Sequence, residues 1–432
     1  MKNICRLLLV FSLASCFILS GCSATQVRYN VINTFTLSYE NKDGTKTMEI
    51  YSYPVAFLNN SHYQQIDNTI VEVLNEDIRE AGYEYENKAN DIKLYFPDSF
   101  DGDSGITAID QENYITIKPK GQVSNGILKR KVKTIYCNEQ EAIVYQNISD
   151  NVDLLVYPTA LGAKMQLDIK RQPKDDLIIF HISTPDTHIL TKNQEYVFFT
   201  NRDKETKAIL HQPFIVDTKD NFFMVEGWSV LETEPGLYTY TLPMHIKDTS
   251  IQYPISIDLS INLYRPKQPD SSVKSFQEGN QYLSNLLFTG SNNRGDMASY
   301  IRFELLNENL LHDKTILLAH YITYNLTRQD HANTIRAYPV IADWGSPSIT
   351  WSTQPLSLDI ETEVYIKQNQ YAFDVTEIVK SWYKYAEQPE SAPFNNRFGF
   401  VLKSDGTGQG YCVFPSADNV FSSPRLKIVY RD

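Results

Sequence analysis

The chain has 432 residues, with 40 basic against 52 acidic side chains and a formal charge of −12. That balance argues against a nucleic-acid partner and against docking by charge on an anionic membrane face. Aromatic residues make up 12%, led by 28 tyrosines, which favours strands over helices.

Residues 1–21 are read as a signal peptide. Lys2 and Arg6 precede an apolar run from Leu7 to Leu19. The run is shorter than the ~20 residues of a membrane-crossing helix and suits the apolar centre of a secretory signal. It closes as Leu19-Ser20-Gly21-Cys22, which resembles the lipobox of bacterial lipoproteins. The resemblance implies an acylated Cys22 as the new N-terminus, a lipidated tether over 22–32 and an extracytoplasmic place on the cell membrane. Acyl methylenes at ~0.8 kcal/mol each would supply the anchor. Removing Lys2 and Arg6 takes the charge from −12 to −12 − 2 = −14. Of five cysteines, only Cys137 and Cys412 would remain unmodified. They are able to pair with each other, but each sits in a strand-like apolar segment, and two buried thiols are expected.

From Val31 onward strands follow one another. TFTLSYE alternates Phe35, Leu37 and Tyr39, NKDG offers an Asp43-Gly44 turn, and TMEIYSYPVAF alternates again through Met48, Ile50 and Ser52. QQIDNTIVEVLNEDI is ambiguous. Ile66, Ile70, Val73 and Leu74 have helical spacing, yet TIVEV is β-branched. Runs such as VDLLVYP, AKMQLDIKR and YPISIDLSINLY recur every ~8–15 residues between turn signals, the pattern of antiparallel sandwiches. YRPKQPDSS, with Pro266 and Pro269, marks the best domain boundary. A β-rich leader of one or two lobes is therefore expected over 33–264, and a second sandwich over 268–432. In the latter, YAFDVTEIVKSWYKYAEQ places Val375, Ile378, Val379 and Trp382 on one helical stripe, with Asp374 or Thr376 as N-cap. The expected class is all-β, antiparallel and jelly-roll-like, with one short amphipathic helix in the C-terminal domain.

The segments SYIRFEL, DWGSPSITWSTQP, YAFDVTEIVKSW, FGFVLKSD and FPSADNVFSSPRLKIVY occur in that order. They resemble the DNRLRE family, β-sandwich modules of secreted bacterial proteins also classed among carbohydrate-binding modules. Trp344, Trp351, Pro355, Asp374 and Trp382 fall on the family's structural signature. About 33–260 resembles the leader region of wall-associated and Rhs-type (YD-repeat) secreted proteins. The family resemblance implies polysaccharide as ligand.

Trp344 and Trp351 are expected to be core pegs and not a sugar platform, because Pro347 breaks the segment and odd spacing splits the rings across two faces. Tyr383 and Tyr385 flank the helical stripe and are the candidate ligand-binding aromatics. No nucleophile elbow, zinc helix or histidine cluster is present. DGDSG at 101–105 lacks the glycine of a calcium loop, since Ile106 stands in its place. Arg294-Gly295-Asp296 reads as a loop before a strand. No cofactor is expected, and a structural Ca²⁺ on loop carboxylates such as Asp296 or Asp405 has no support from spacing. The expectation is thus a non-enzymatic, lipid-anchored surface protein that binds polysaccharide. The alternatives are an assembly protein contacting other secreted proteins, or a polysaccharide-degrading enzyme.

Overall fold

The computed structural model describes residues 28–432 except 101, 111–112, 122–123, 136–138, 193–195, 220, 245–250, 264–268, 278–283, 304–310, 312, 328–334, 346–347, 361, 368, 388–397, 407–409, 418 and 420–423. The side chains of 190–192 and 385–387 are likewise outside the description. Cys22, Cys137 and the Pro266 linker fall outside it too. Every pairing between named strands is antiparallel, and strands dominate the described residues, so the all-β expectation holds.

Two sandwiches result. The first packs an eight-stranded sheet, edged by Ser229–Glu234 and Asp67–Glu72, on a ten-stranded sheet centred on Val152–Pro158, Gly162–Ile169 and Ile255–Leu263. Ile117, Phe180, Tyr240, Met165, Leu167 and Leu259 meet between them. On the eight-stranded sheet burial alternates cleanly, as in Leu237–Pro243, because one face meets the core and the other water. The central strands of the ten-stranded sheet are buried almost without break. Their outer face is covered by the second sandwich, where Ile135, Phe214 and Val216 pack with Leu286, Leu326 and Val413. On that covered face Lys164 Nζ lies 2.8 Å from Asp258 Oδ1 and 2.7 Å from Ser260 Oγ.

The ambiguous 64–78 segment resolves as strands His62–Gln65 and Asp67–Glu72 and a short helix Glu76–Glu80. Ile70 and Val73 are buried but Leu74 is 89% exposed. A helical stripe would have buried all three, so the β-branched run prevailed.

The second sandwich draws on both ends of the described chain. Its seven-stranded sheet runs Asn30–Asn33, Thr36–Glu40, Lys46–Tyr51, Arg425–Arg431, Thr315–Tyr324, Gln370–Asp374, Val364–Lys367. Residues 30–32, counted with the tether, and 33–51, counted with the leader on sequence grounds, thus join this sheet, with Lys46–Tyr51 paired to the last strand. Opposite lies a six-stranded sheet that includes Leu286–Asn292, Gly295–Ile301, Phe400–Ser404 and Gly410–Pro415. Met48, Ile50, Tyr321, Phe373, Leu426 and Ile428 from one sheet meet Ile301, Ala337, Phe400, Leu402 and Phe414 from the other. The helix Thr376–Glu387 lays Ile378, Val379 and Trp382, with the preceding Val375, into this core. Asp374 Oδ1 accepts from Thr376 N at 3.0 Å and from its hydroxyl at 2.5 Å, which starts the helix.

Candidate functional site

With Met48, Ile50, Tyr321, Leu426 and Ile428 turned inward, strand alternation sends Glu49, Tyr51, His320, Ile322, Tyr324, Arg425 and Lys427 to the outer face of the seven-stranded sheet. Register then builds rows across it. Tyr51 stands opposite Arg425, Arg425 opposite Ile322, Ile322 opposite Ala372, and Ala372 opposite Tyr365. Four inter-strand steps of about 4.8 Å set the two tyrosines roughly 19 Å apart at the ends of one track. Glu49, Lys427, His320 and Asp374 form the neighbouring row. Tyr324, Gln370 and Lys367 form a row on the other side.

Short-range contacts hold these side chains. Tyr51 Oη donates to Glu49 Oε2 at 2.6 Å, and burial followed by the Glu49 charge pushes the phenol's pKa well up. Arg425 lies 6.0 Å over the Tyr51 ring, and its Nε is 3.8 Å from Glu49 Oε1. That Nε is buried and finds no hydrogen-bond partner among the described residues. His320 Nε2 is in the same condition, and its ring sits 5.6 Å from that of Tyr365. Burial holds the His320 pKa below 6.5, Lys427 adds to this, and Asp374 opposes it. Gln370 Nε2 donates to Tyr324 Oη at 2.8 Å. Tyr365 is 51% exposed and donates to Glu363 Oε2. A buried polar nitrogen without a partner costs free energy, and an oxygen would reach either atom only after neighbouring side chains move. Flat rings beside such donors suit a ligand with alternating apolar faces and hydroxyls.

The residues singled out from sequence lie elsewhere. Trp344 is 8% exposed, donates from Nε1 to Phe398 O at 2.6 Å and meets the Tyr300 ring edge-on at 5.7 Å. Trp351 is half-buried against the same cluster, on the outer side of the six-stranded sheet. Pro355 is half-buried in the segment that follows, and Trp382 is core. Tyr383, expected at the border of exposure, is instead 9% exposed within the core, and burial pushes its phenol up. The helix turns one residue past its apolar stripe still toward the sheet, so this ring offers no free face. The Tyr385 side chain lies outside the described residues. The Cys412 thiol is free and buried, its pKa pushed up to about 11. Asp405 is held by Arg336 at 2.7 Å. Among the described residues no three His, Cys, Asp or Glu side chains are grouped to hold a metal.

The outer-face tyrosines escaped notice on sequence grounds. TMEIYSY carries the signal: with Met48 and Ile50 inward, Tyr51 must point outward. Only the fold shows that Arg425 meets it.

Residues 266–430 match the model of carbohydrate-binding module family 96. They form a carbohydrate-binding-module-like domain. The module takes its first three sheet strands, Asn30–Asn33, Thr36–Glu40 and Lys46–Tyr51, from outside the matched span. Over 425 residues the chain is 22% identical to the tRNA3(Ser)-specific nuclease WapA of Bacillus spizizenii. The same identity holds for the tRNA nuclease WapA of Bacillus subtilis strain 168 and the tRNA(Glu)-specific nuclease WapA of Bacillus subtilis subsp. natto. Each match covers 91% of this chain but only 17% of the relative. The N-terminal domain of the Streptococcus gordonii adhesin Sgo0707 aligns over 94% of this chain and 90% of its own. With 6% identity and a TM-score of 0.17, that likeness carries no argument.

The expectation of a non-enzymatic protein is overturned by these relatives, all named as tRNA nucleases. Its basis was missing motifs, and their absence from one sequence does not exclude an enzyme. The charge argument against a nucleic-acid partner gains no support either, since the relatives are named for acting on tRNA.

Proposed function

We propose that the module grips a polysaccharide chain on the outer face of its seven-stranded sheet, in a protein held at the bacterial cell surface by an acylated Cys22. The observation that carries this reading is the Tyr51–Arg425–Ile322–Ala372–Tyr365 row, which runs across the sheet of the carbohydrate-binding-module-like domain. Sugar rings would stack at the two tyrosines, while Arg425 and His320 would meet hydroxyl oxygens once neighbouring side chains move aside. Affinity electrophoresis of residues 23–432 through gels carrying wall and extracellular polysaccharides tests it. Retardation that Arg425→Ala and Tyr365→Ala both abolish supports the reading, and retardation untouched by either sinks it. Replacing Cys22 by Ala should release the protein into the medium; continued membrane retention would remove the anchor.

A second reading comes from the relatives: the protein acts on tRNA. What favours it is the breadth of the match, 91% of this chain. Incubation of the purified protein with total tRNA, resolved on a denaturing gel, tests it. Intact tRNA at enzyme excess would remove it.

A further inference from the structure

We propose a second glycan site, adjoining the sheet face at Tyr51: the trough between the two sandwiches binds an uncharged polysaccharide segment. Its wall is the hairpin of strands Ala56–Asn59 and His62–Gln65, which pair only with each other. The trough has two lobes. One, of about 650 Å³, is lined by Gln64, Asp67 and Lys88 among others, and the second, of about 360 Å³, by Tyr51, Tyr53 and Thr159. Gln65, Asn68 and Gln140 line both lobes, so the lobes join.

The chemistry of the lining selects the ligand. The charged groups already answer one another. Asp67 pairs with Lys88 at 2.8 Å, and Glu141 accepts from Arg130 at 2.9 Å and from Ile70 N at 3.0 Å. The free hydrogen-bonding capacity is amide. The Gln65 and Gln140 side chains make no hydrogen bond among the described residues, and each brings two donors and an acceptor. Asn68 Oδ1 accepts from Asn87 and Asn90 at 3.3 and 3.4 Å, which orients its own NH₂ as a remaining donor. Tyr51 and Tyr53, with ring centres 6.2 Å apart and tilted by 63°, give the smaller lobe an apolar side. Neutral donors and acceptors beside ring faces match sugar hydroxyls and C–H faces. A polyanion would find no unpaired cation there, and the chain's charge of −12 opposes it. The edge strand Asp67–Glu72 also reaches both lobes, and the neutral amides beside tyrosine rings favour a sugar over a peptide there.

Isothermal titration of residues 23–432 with cellohexaose, chitohexaose and xylohexaose, and with hexagalacturonate as the acidic comparison, tests the site. At least one neutral hexasaccharide should bind, and Gln65→Ala with Gln140→Ala should weaken it about tenfold. The titrations are made in the Tyr365→Ala background, which removes one end of the sheet-face track, so that the effect of the two glutamines reports the trough. Both glutamines are exposed, so an unaltered melting curve is expected and confirms folding. The proposal is overturned if no neutral hexasaccharide binds, if only hexagalacturonate does, or if the double variant binds as the parent does. Selection of a peptide ligand that competes with the sugar-free trough while no sugar binds would overturn it as well.

Discussion

Lys164 Nζ lies 2.8 Å from Asp258 Oδ1 on the outer face of the ten-stranded sheet, with side chains only 4% and 1% exposed. Two charges taken from water in this way are costly alone and tolerable together. Burial pulls the Lys164 pKa down while Asp258 opposes it. Asp258→Asn should therefore destabilise by about 3–5 kcal/mol, by stranding the ammonium. The double replacement Lys164→Met with Asp258→Leu should recover most of that loss. Urea unfolding of the three proteins decides it; equal midpoints for parent and Asp258→Asn would show that the pair is dispensable.

Core and face should answer truncation differently. Trp382 is 2% exposed beneath the helix, and Trp382→Ala should cost about 3–5 kcal/mol. Tyr365, half exposed, should change stability by no more than about 0.5 kcal/mol on replacement by Ala. A large loss at Tyr365 in thermal unfolding would mean that the ring is structural.

The family-matched span should not stand by itself. Without residues 30–51, Arg425–Arg431 becomes an unprotected edge, and Met48 and Ile50 leave the core at a cost of about 1.5–3 kcal/mol each. Residues 266–430 alone are expected to melt lower and to aggregate in size-exclusion chromatography. Co-expressed residues 28–55 should rescue them. A monomeric, equally stable 266–430 would contradict the pairing.

His320 should make stability pH-dependent. Its folded pKa lies below the ordinary 6.5, so between the two values the unfolded chain binds more protons. The contribution is complete above 6.5 and is lost as pH falls from there toward the folded value. The charged groups facing the ring are Lys427 and Asp374. His320→Gln should flatten the fall in melting temperature between about pH 7.5 and about pH 5 relative to the parent. Identical slopes would exclude the ring as the source.

Local pattern carried far in this chain. The stripe of Ile378, Val379 and Trp382 and the alternation through Met48 and Ile50 depend only on neighbours, and both are buried as their spacing implies. Trp344 was legible as a peg because Pro347 and odd spacing deny it a shared platform. Pairing at a distance was not legible. Nothing near Tyr51 announces Arg425, and the Pro-rich linker suggested a cleaner partition than the sheet has, because register between remote strands is set by the whole fold. Tyr383 misled because a residue beside an apolar stripe is decided by how deeply the helix settles, which periodicity does not report.

The antiparallel junction of Lys46–Tyr51 with Arg425–Arg431 has a consequence in time. A ribosome delivers residues in order, so the early hairpin waits until Arg425–Arg431 has emerged before it meets its mate. Meanwhile the intervening sandwich has every neighbour it needs and is able to mature first. The late strand then works as a clasp, and the sheet face that includes Arg425 comes into being only when that clasp shuts.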